Sequence, residues 1–245
     1  MIKRLVGLVA LWIVLTLPAH SEPLIADLSE HLVAITTGFT GTEVLLFGAI
    51  EGEGDLVVVV SGPPQTAEVR RKERVIGIWL NDAKVSFENA PAYYQIMATR
   101  EIRDWLPQAI RERHKFGVEF LRLAPSANLR PDEAKAFTAA FIRNKVKLGH
   151  YQLEQGKITK LGGRLFRANI IFPANVPTGT YKVEAFLIRN GAVESAQTTP
   201  LYVSQIGIGA DIYQFAHEYS ALYGITAILI AIFAGLSAAV AFRRA

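Results

Sequence analysis

The spacing of apolar and polar positions changes character three times along this chain. From Leu24 to Thr99 the apolar runs are short and bounded by turn residues, which predicts strands. Leu32–Ile35 comes first, then a Gly38–Gly41 turn and a second run at Val44–Phe47. The polar loop Glu51–Asp55 precedes Leu56–Val60, whose four consecutive Val suit a strand buried on both faces. Gly62-Pro63-Pro64 ends that run, because proline cannot donate to a ladder. Val75–Leu80 reads as the next strand, Asn81-Asp82 as a tight turn and Val85–Phe87 as the return. Ala90-Pro91 breaks the pattern and Tyr93–Ala98 resumes it.

A helical period replaces this texture near Glu101. Ile102, Trp105, Leu106, Ala109 and Ile110 fall on one side, with Arg103, Asp104, Arg111, Glu112 and Arg113 on the other. After Pro125 a second helix starts at Pro131-Asp132-Glu133, with proline at the first position and acids in the first turn. Ala134, Phe137, Phe141 and Leu148 form its apolar stripe. Arg143, Lys145 and Lys147 crowd its last turns, where cations suit the helix dipole, and Gly149 is placed to cap it. Residues 101–150 thus read as a helical pair inserted between two β segments.

Strand texture then returns. Lys157–Lys160 precedes a Gly162-Gly163 turn and the strand Leu165–Phe172. A proline-rich loop, Pro173–Gly179, leads into Tyr181–Ile188, and Asn190-Gly191 is a strong hairpin signal. Ala192–Thr199 and Leu201–Val203 follow as two further strands. The run Gly179–Val183 resembles the start of a late strand in immunoglobulin-like sandwiches, where a tyrosine hydrogen-bonds back to the preceding loop. The predicted fold is mainly β: an immunoglobulin-like antiparallel sandwich with a helical insertion, plus one C-terminal transmembrane helix.

That last helix is the strongest single signal. From Ala221 to Phe242 the chain carries 22 residues without a charge. At about 1.5 Å per residue they span roughly 33 Å, against a hydrocarbon core of about 30 Å. Tyr213, Tyr219 and Tyr223 stand where an interfacial aromatic belt belongs, and Arg243 and Arg244 follow the helix. At the other end, Met1–Ser21 reads as a secretory signal: Lys3 and Arg4, then apolar Leu5–Leu17, then a small-residue site at Ala19-His20-Ser21. An uncleaved signal anchor is the alternative. The expected organisation is signal 1–21, β-domain 22–207, juxtamembrane linker 208–220, transmembrane helix 221–242 and tail 243–245. The positive-inside rule places the arginines in the cytoplasm and the domain in the periplasm of a bacterial inner membrane.

Charge and composition refine this picture. The formal charge of +4 comes from Lys3, Arg4, Arg243 and Arg244, so the domain between them is neutral and no nucleic-acid partner is implied. The chain has no Cys, which removes disulfides, a lipoprotein anchor and thiol chemistry. His20, His31, His114, His150 and His217 show no metal-ligand spacing, and no nucleophile elbow, P-loop or dinucleotide fingerprint occurs. No cofactor is implied.

Two features remain as candidate contacts. Arg70, Arg71, Lys72 and Arg74 form the densest basic cluster, readable as an anion or headgroup contact or as a solvated hairpin loop before Val75. Ala227, Ala231, Gly235 and Ala239 recur every fourth residue along the membrane helix, a small-residue ridge that lets another helix approach closely.

Several stretches together carry a family resemblance. They are Val57–Val60 with Gly62-Pro63, Arg71-Lys72 with Gly77–Asn81, and Pro91–Tyr94. Leu165–Arg167 with Phe172–Pro177, and Leu222-Tyr223-Gly224, complete the set. The chain resembles the transmembrane protein family of alphaproteobacteria. That resemblance carries over no activity and no catalytic residues. Members often lie beside a permease of the sulfite-exporter (TauE/SafE) type, which implies an accessory role near a transporter of sulfur-containing anions.

Three functions compete at this point. The first is a membrane-tethered periplasmic interaction module whose partners are the lipid bilayer and an integral membrane permease. The second is a tethered enzyme, which requires Arg71, Lys72, Trp79, Asn81 and Tyr93 to line one pocket. The third is a solute-binding domain for a small anion.

Overall fold

The structure, a computed structural model, describes residues 23–75, 78–126 and 129–243. The expected signal Met1–Ser21 and Arg244 lie outside the described residues. Strands β1 (Leu24–Leu28), β3 (Gly41–Ile50), β10 (Leu165–Pro173) and β9 (Thr159–Leu161) make one sheet in the order β1-β3-β10-β9. A second sheet runs β2 (Leu32–Ile35), β12 (Ala192–Gln205), β11 (Gly179–Arg189), β4 (Asp55–Ser61), β7 (Tyr94–Ala98) and β8 (Gly156–Lys157). Strand β2 pairs parallel to β12 and β8 parallel to β7; the other pairings of the two sheets are antiparallel. The consecutive strands β1 and β2 therefore belong to opposite sheets.

One apolar cluster joins the two sheets. Leu24, Val44, Leu46, Phe166 and Ile170 from the first meet Leu56, Val58, Val60, Val183 and Leu187 from the second. Strand β4 is buried on both sides, as its Val run predicts. Val57 and Val59 turn the other way and join Phe186 and Ile188 in a second cluster. That cluster is closed by helices α1 (Ile102–Trp105), α2 (Gln108–His114) and α3 (Pro131–Lys147), and by the hairpin of β5 (Pro64–Val75) and β6 (Ile78–Pro91). Full burial of each Val or Phe here contributes about 1.5–3 kcal/mol, which makes β4 the spine of the domain.

Several sequence expectations are corrected. Asn81-Asp82 does not turn the chain. Strand β6 runs through it, and the hairpin closes between Val75 and Ile78. The register shifts between Arg70 and Lys72, whose partners are Lys84 and Asn81, so an irregularity in the ladder absorbs the turn-favouring pair. The basic cluster is accordingly strand, not loop. The first expected helix is split at Pro107. Leu106 before it is extended at φ −99°, ψ 125°, the conformation a following proline imposes. The two late strands are one, β12, which passes through Pro200. Strand β2 pairs only from Tyr202 onward, so β12 is unpaired on that side at Pro200 and tolerates the missing N–H. The linker segment is helical: α4 (Ile208–Glu218) leads into α5 (Ser220–Arg243).

The α3 stripe is also revised. Leu148 is half exposed, whereas Lys145 is buried. Lys145 stands four residues after Phe141, on the core-facing row, so helix geometry sends it inward with its neighbours. The C-terminus closes as expected of Gly149, which has φ +74°. Its N–H reaches the Val146 carbonyl and that of His150 reaches Lys145, the pairing of a Schellman motif.

Candidate functional site

Ser220–Val240 is long and apolar enough to span a bilayer, and none of it is buried by the rest of the chain. The two hydroxyls in its middle turns need no outside partner. The Thr226 hydroxyl lies 2.7 Å from the Leu222 carbonyl and that of Ser237 lies 2.7 Å from Phe233. Each is thus satisfied one turn back, as a hydroxyl in lipid must be. Ala227, Ala231, Gly235 and Ala239 lie along α5 at four-residue steps and so share one face. A Cβ added at Gly235 would meet nothing within 4 Å, so this ridge carries no load within the chain.

Helix α4 meets α5 at an elbow. Tyr219, at φ −124°, ψ 51°, leaves helical geometry, yet its N–H still reaches Phe215 and its carbonyl still accepts from Tyr223. The rings of Tyr219 and Tyr223 each lie 6.1 Å from that of Phe215. All three rings are exposed, as are Ile212 and Tyr213. An apolar face of α4 therefore continues into the membrane helix.

The basic cluster occupies the outer part of the β5–β6 hairpin, and strand geometry divides it. Glu68 lies 2.6 Å from the Lys84 ammonium and 3.5 Å from the Arg70 guanidinium. Those cations hold its carboxyl below the usual range, the Lys84 hydrogen bond first. Arg71 points the other way, over the Phe137 ring at 5.7 Å. Lys72 pairs in register with Asn81, and Arg74 with Trp79; for Arg74, Trp79 and Asn81 the backbone alone is described.

Tyr93 lies elsewhere. It is fully buried in the cluster between the sheets, its hydroxyl 2.7 Å from the Ile171 carbonyl and 2.9 Å from Gln95 Oε1. Burial pushes its phenol well above the ordinary range. Lys72 lies eight positions along the strand from Pro64, which is at the base of the hairpin beside Tyr93, about 27 Å of extended strand. Lys72 and Asn81 are brought together; Tyr93 is not brought to them.

Sequence reasoning missed one polar cluster entirely. Lys145 Nζ donates to the Ala92 carbonyl at 3.2 Å and lies 5.8 and 5.9 Å from the ring centroids of Phe141 and Tyr151. Burial lowers its pKa. His150 is buried beside it, with Nε2 3.0 Å from the Asn175 carbonyl, so this nitrogen carries the proton. Its Nδ1 is buried without a partner. Burial pulls the imidazole below its ordinary pKa; the Asn175 carbonyl opposes this in part and the Lys145 charge adds to it. The cluster ties the end of α3 to the Ala92 and Asn175 loops. Its one sequence signal was the position of Lys145 on the Phe141 row.

The grooves of the surface are open and mixed in character. One of about 540 Å³ is lined by Gln95, Gln152, Gln155, Lys157, Arg167 and Asn169. Among the described residues no group of three or more His, Asp or Glu could hold a metal ion. Residues 23–244 match the model of a protein family described as Putative transmembrane protein (Alph_Pro_TM). The comparison with curated proteins yields no match.

Proposed function

Given that the chain belongs to this transmembrane protein family, we propose that it is a membrane-anchored interaction module. In this reading α5 holds an exported β-domain at the bilayer and packs against a second integral membrane protein. The observation that carries the proposal is the bare small-residue ridge on α5. The helix is uncovered throughout its span, and Gly235 has open space around it. A helix whose hydroxyls are already satisfied gains from a neighbour chiefly by close backbone approach, which small residues permit. The charge-free span followed by Arg243 orients the domain outward under the positive-inside rule. The family resemblance supports a permease for sulfur-containing anions as the partner. The immunoglobulin-like assignment of the sandwich rests on two features: the crossing of β1 and β2 between sheets, and a bond from the Tyr181 hydroxyl to the Pro177 carbonyl at 2.6 Å.

The test is purification of the full chain from its native membrane in mild detergent, with mass spectrometry of what accompanies it. A stoichiometric membrane partner that is lost on Gly235→Ile is the expected result. Recovery of the chain without a partner in several detergents and after crosslinking would refute the reading.

A further inference from the structure

The outer face of the four-stranded sheet carries a large apolar patch, and nothing among the described residues covers it. Side chains alternate along β1, β3 and β10, so Val44, Leu46, Phe166 and Ile170 fill the core while their neighbours point outward. Those neighbours are unusual for solvent. Ile25, Ala49, Leu165 and Leu161 stand in register across all four strands. Phe47 and Leu45 lie beside that row on β3. Ile25 is 57%, Leu165 56% and Phe47 45% exposed, so they are not shielded by loops. Together the large side chains leave on the order of 500 Å² of contiguous apolar surface, at the upper end of the largest patch on an ordinary monomer.

The charges around the patch indicate what covers it. Phe47 pairs with Asp27 on one side and with Arg167 on the other. Strands lie about 4.8 Å apart, so an acidic and a basic residue neighbour Phe47 on its two sides; the Asp27 carboxylate also lies 3.0 Å from His31 Nε2. A twofold axis lying along β3, in the plane between two facing sheets, sets Asp27 of each copy against Arg167 of the other. It also stacks Phe47 on Phe47 and lays Ile25 against Leu165. The same axis leaves the two β3 strands running in one direction. Glu43 and Asp27 on this face disfavour an anionic lipid surface as its cover; about the twofold axis Glu43 also faces Glu43, one like-charge contact against the two Asp27–Arg167 pairs.

We infer that this sheet face is a homodimer interface, closed by a second copy of the chain about an axis along β3. The area per copy falls short of the roughly 800 Å² per partner of a standard stable complex. Tethering both copies to one membrane raises their effective concentration and compensates for this. This interface is distinct from the α5 ridge, so either can fail without the other.

The chain has no Cys, so single-cysteine variants report position directly. Full-length Phe47→Cys in native membranes should be captured as a dimer by a bismaleimide matched to the roughly 10 Å spacing of packed sheets. Lys135→Cys, exposed on α3, should stay monomeric. In a Phe47→Cys background, Arg167→Asp should cut dimer capture several-fold, and adding Asp27→Arg should restore most of it. Absence of dimer from Phe47→Cys in protein that retains its wild-type melting temperature overturns the inference. So does equal capture from Lys135→Cys, or capture of a different protein at Phe47→Cys.

Discussion

His150 makes the domain acid-sensitive, and His150→Gln should remove that sensitivity while keeping a donor for the Asn175 carbonyl. In the folded protein burial holds the imidazole below its ordinary value near 6.5. As pH falls below about 6.5 the unfolded chain takes up this proton first, so stability present above that pH is lost on acidification. One proton of difference gives at most about 1.4 kcal/mol per pH unit. For a domain of this size 1 kcal/mol moves Tm by about 2–4 °C, so the slope is at most about 3–6 °C per unit. The loss continues down to the folded pKa. The groups facing the ring are Lys145, which adds to the shift, and the Asn175 carbonyl and side chain, which oppose it. His114 is displaced in the same direction by burial, so wild type alone is not the measure. The measure is the difference in Tm between wild type and His150→Gln, followed by thermal melts of the full chain in detergent from pH 7.5 to 5.5. The gap should shift in favour of His150→Gln as pH falls below about 6.5. Parallel curves for the two proteins would refute the reasoning.

Tyr181→Phe should cost about 1 kcal/mol, because the ring still fills its buried place and only the bond to Pro177 is lost; a melt indistinguishable from wild type would refute it. Gly48→Ala should cost more, about 1–3 kcal/mol or outright loss of folding, since a Cβ there would sit 2.2 Å from the Ile25 carbonyl and 2.6 Å from Phe166. Expression yield and Tm of the variant check this, and normal values would show that β1 can shift. Phe47→Ser should leave Tm of the solubilised monomer within about 1 °C, as expected of an exposed side chain. In membranes Leu165→Asp, which leaves Phe47 in place and sets a carboxylate against Ile25 of the second copy, should abolish capture of dimers by amine-reactive crosslinkers.

Much of the fold was legible in local pattern. The Val run of β4 announced burial on both faces, Asn190-Gly191 announced its hairpin, and both residues take positive φ, 51° and 74°. Pro131 and Gly149 bracketed α3, and Tyr181 made the backward bond that its sequence context suggested. The candidate site was legible only in part. The ridge on α5 followed from four-residue spacing alone. The basic cluster was visible as composition, but its division between Glu68 and Phe137 was not, because a cluster in sequence becomes two faces once it forms a strand.

What the sequence by itself determined is whatever depends on neighbours along the chain. The apolar span of α5, the strand periods, the turn residues and the extended conformation of Leu106 before Pro107 are of this kind. Partners distant in sequence decided the rest. The ladder with β5 drew Asn81-Asp82 into a strand although the pair favours a turn. The Phe141 row carried Lys145 into the core, against its preference for water. Alternation specified that one face of β1, β3 and β10 would be buried and that the other would carry Ile25, Phe47 and Leu165. That none of the described elements covers this second face depended on where α1 to α3 packed, which is the opposite side of β4.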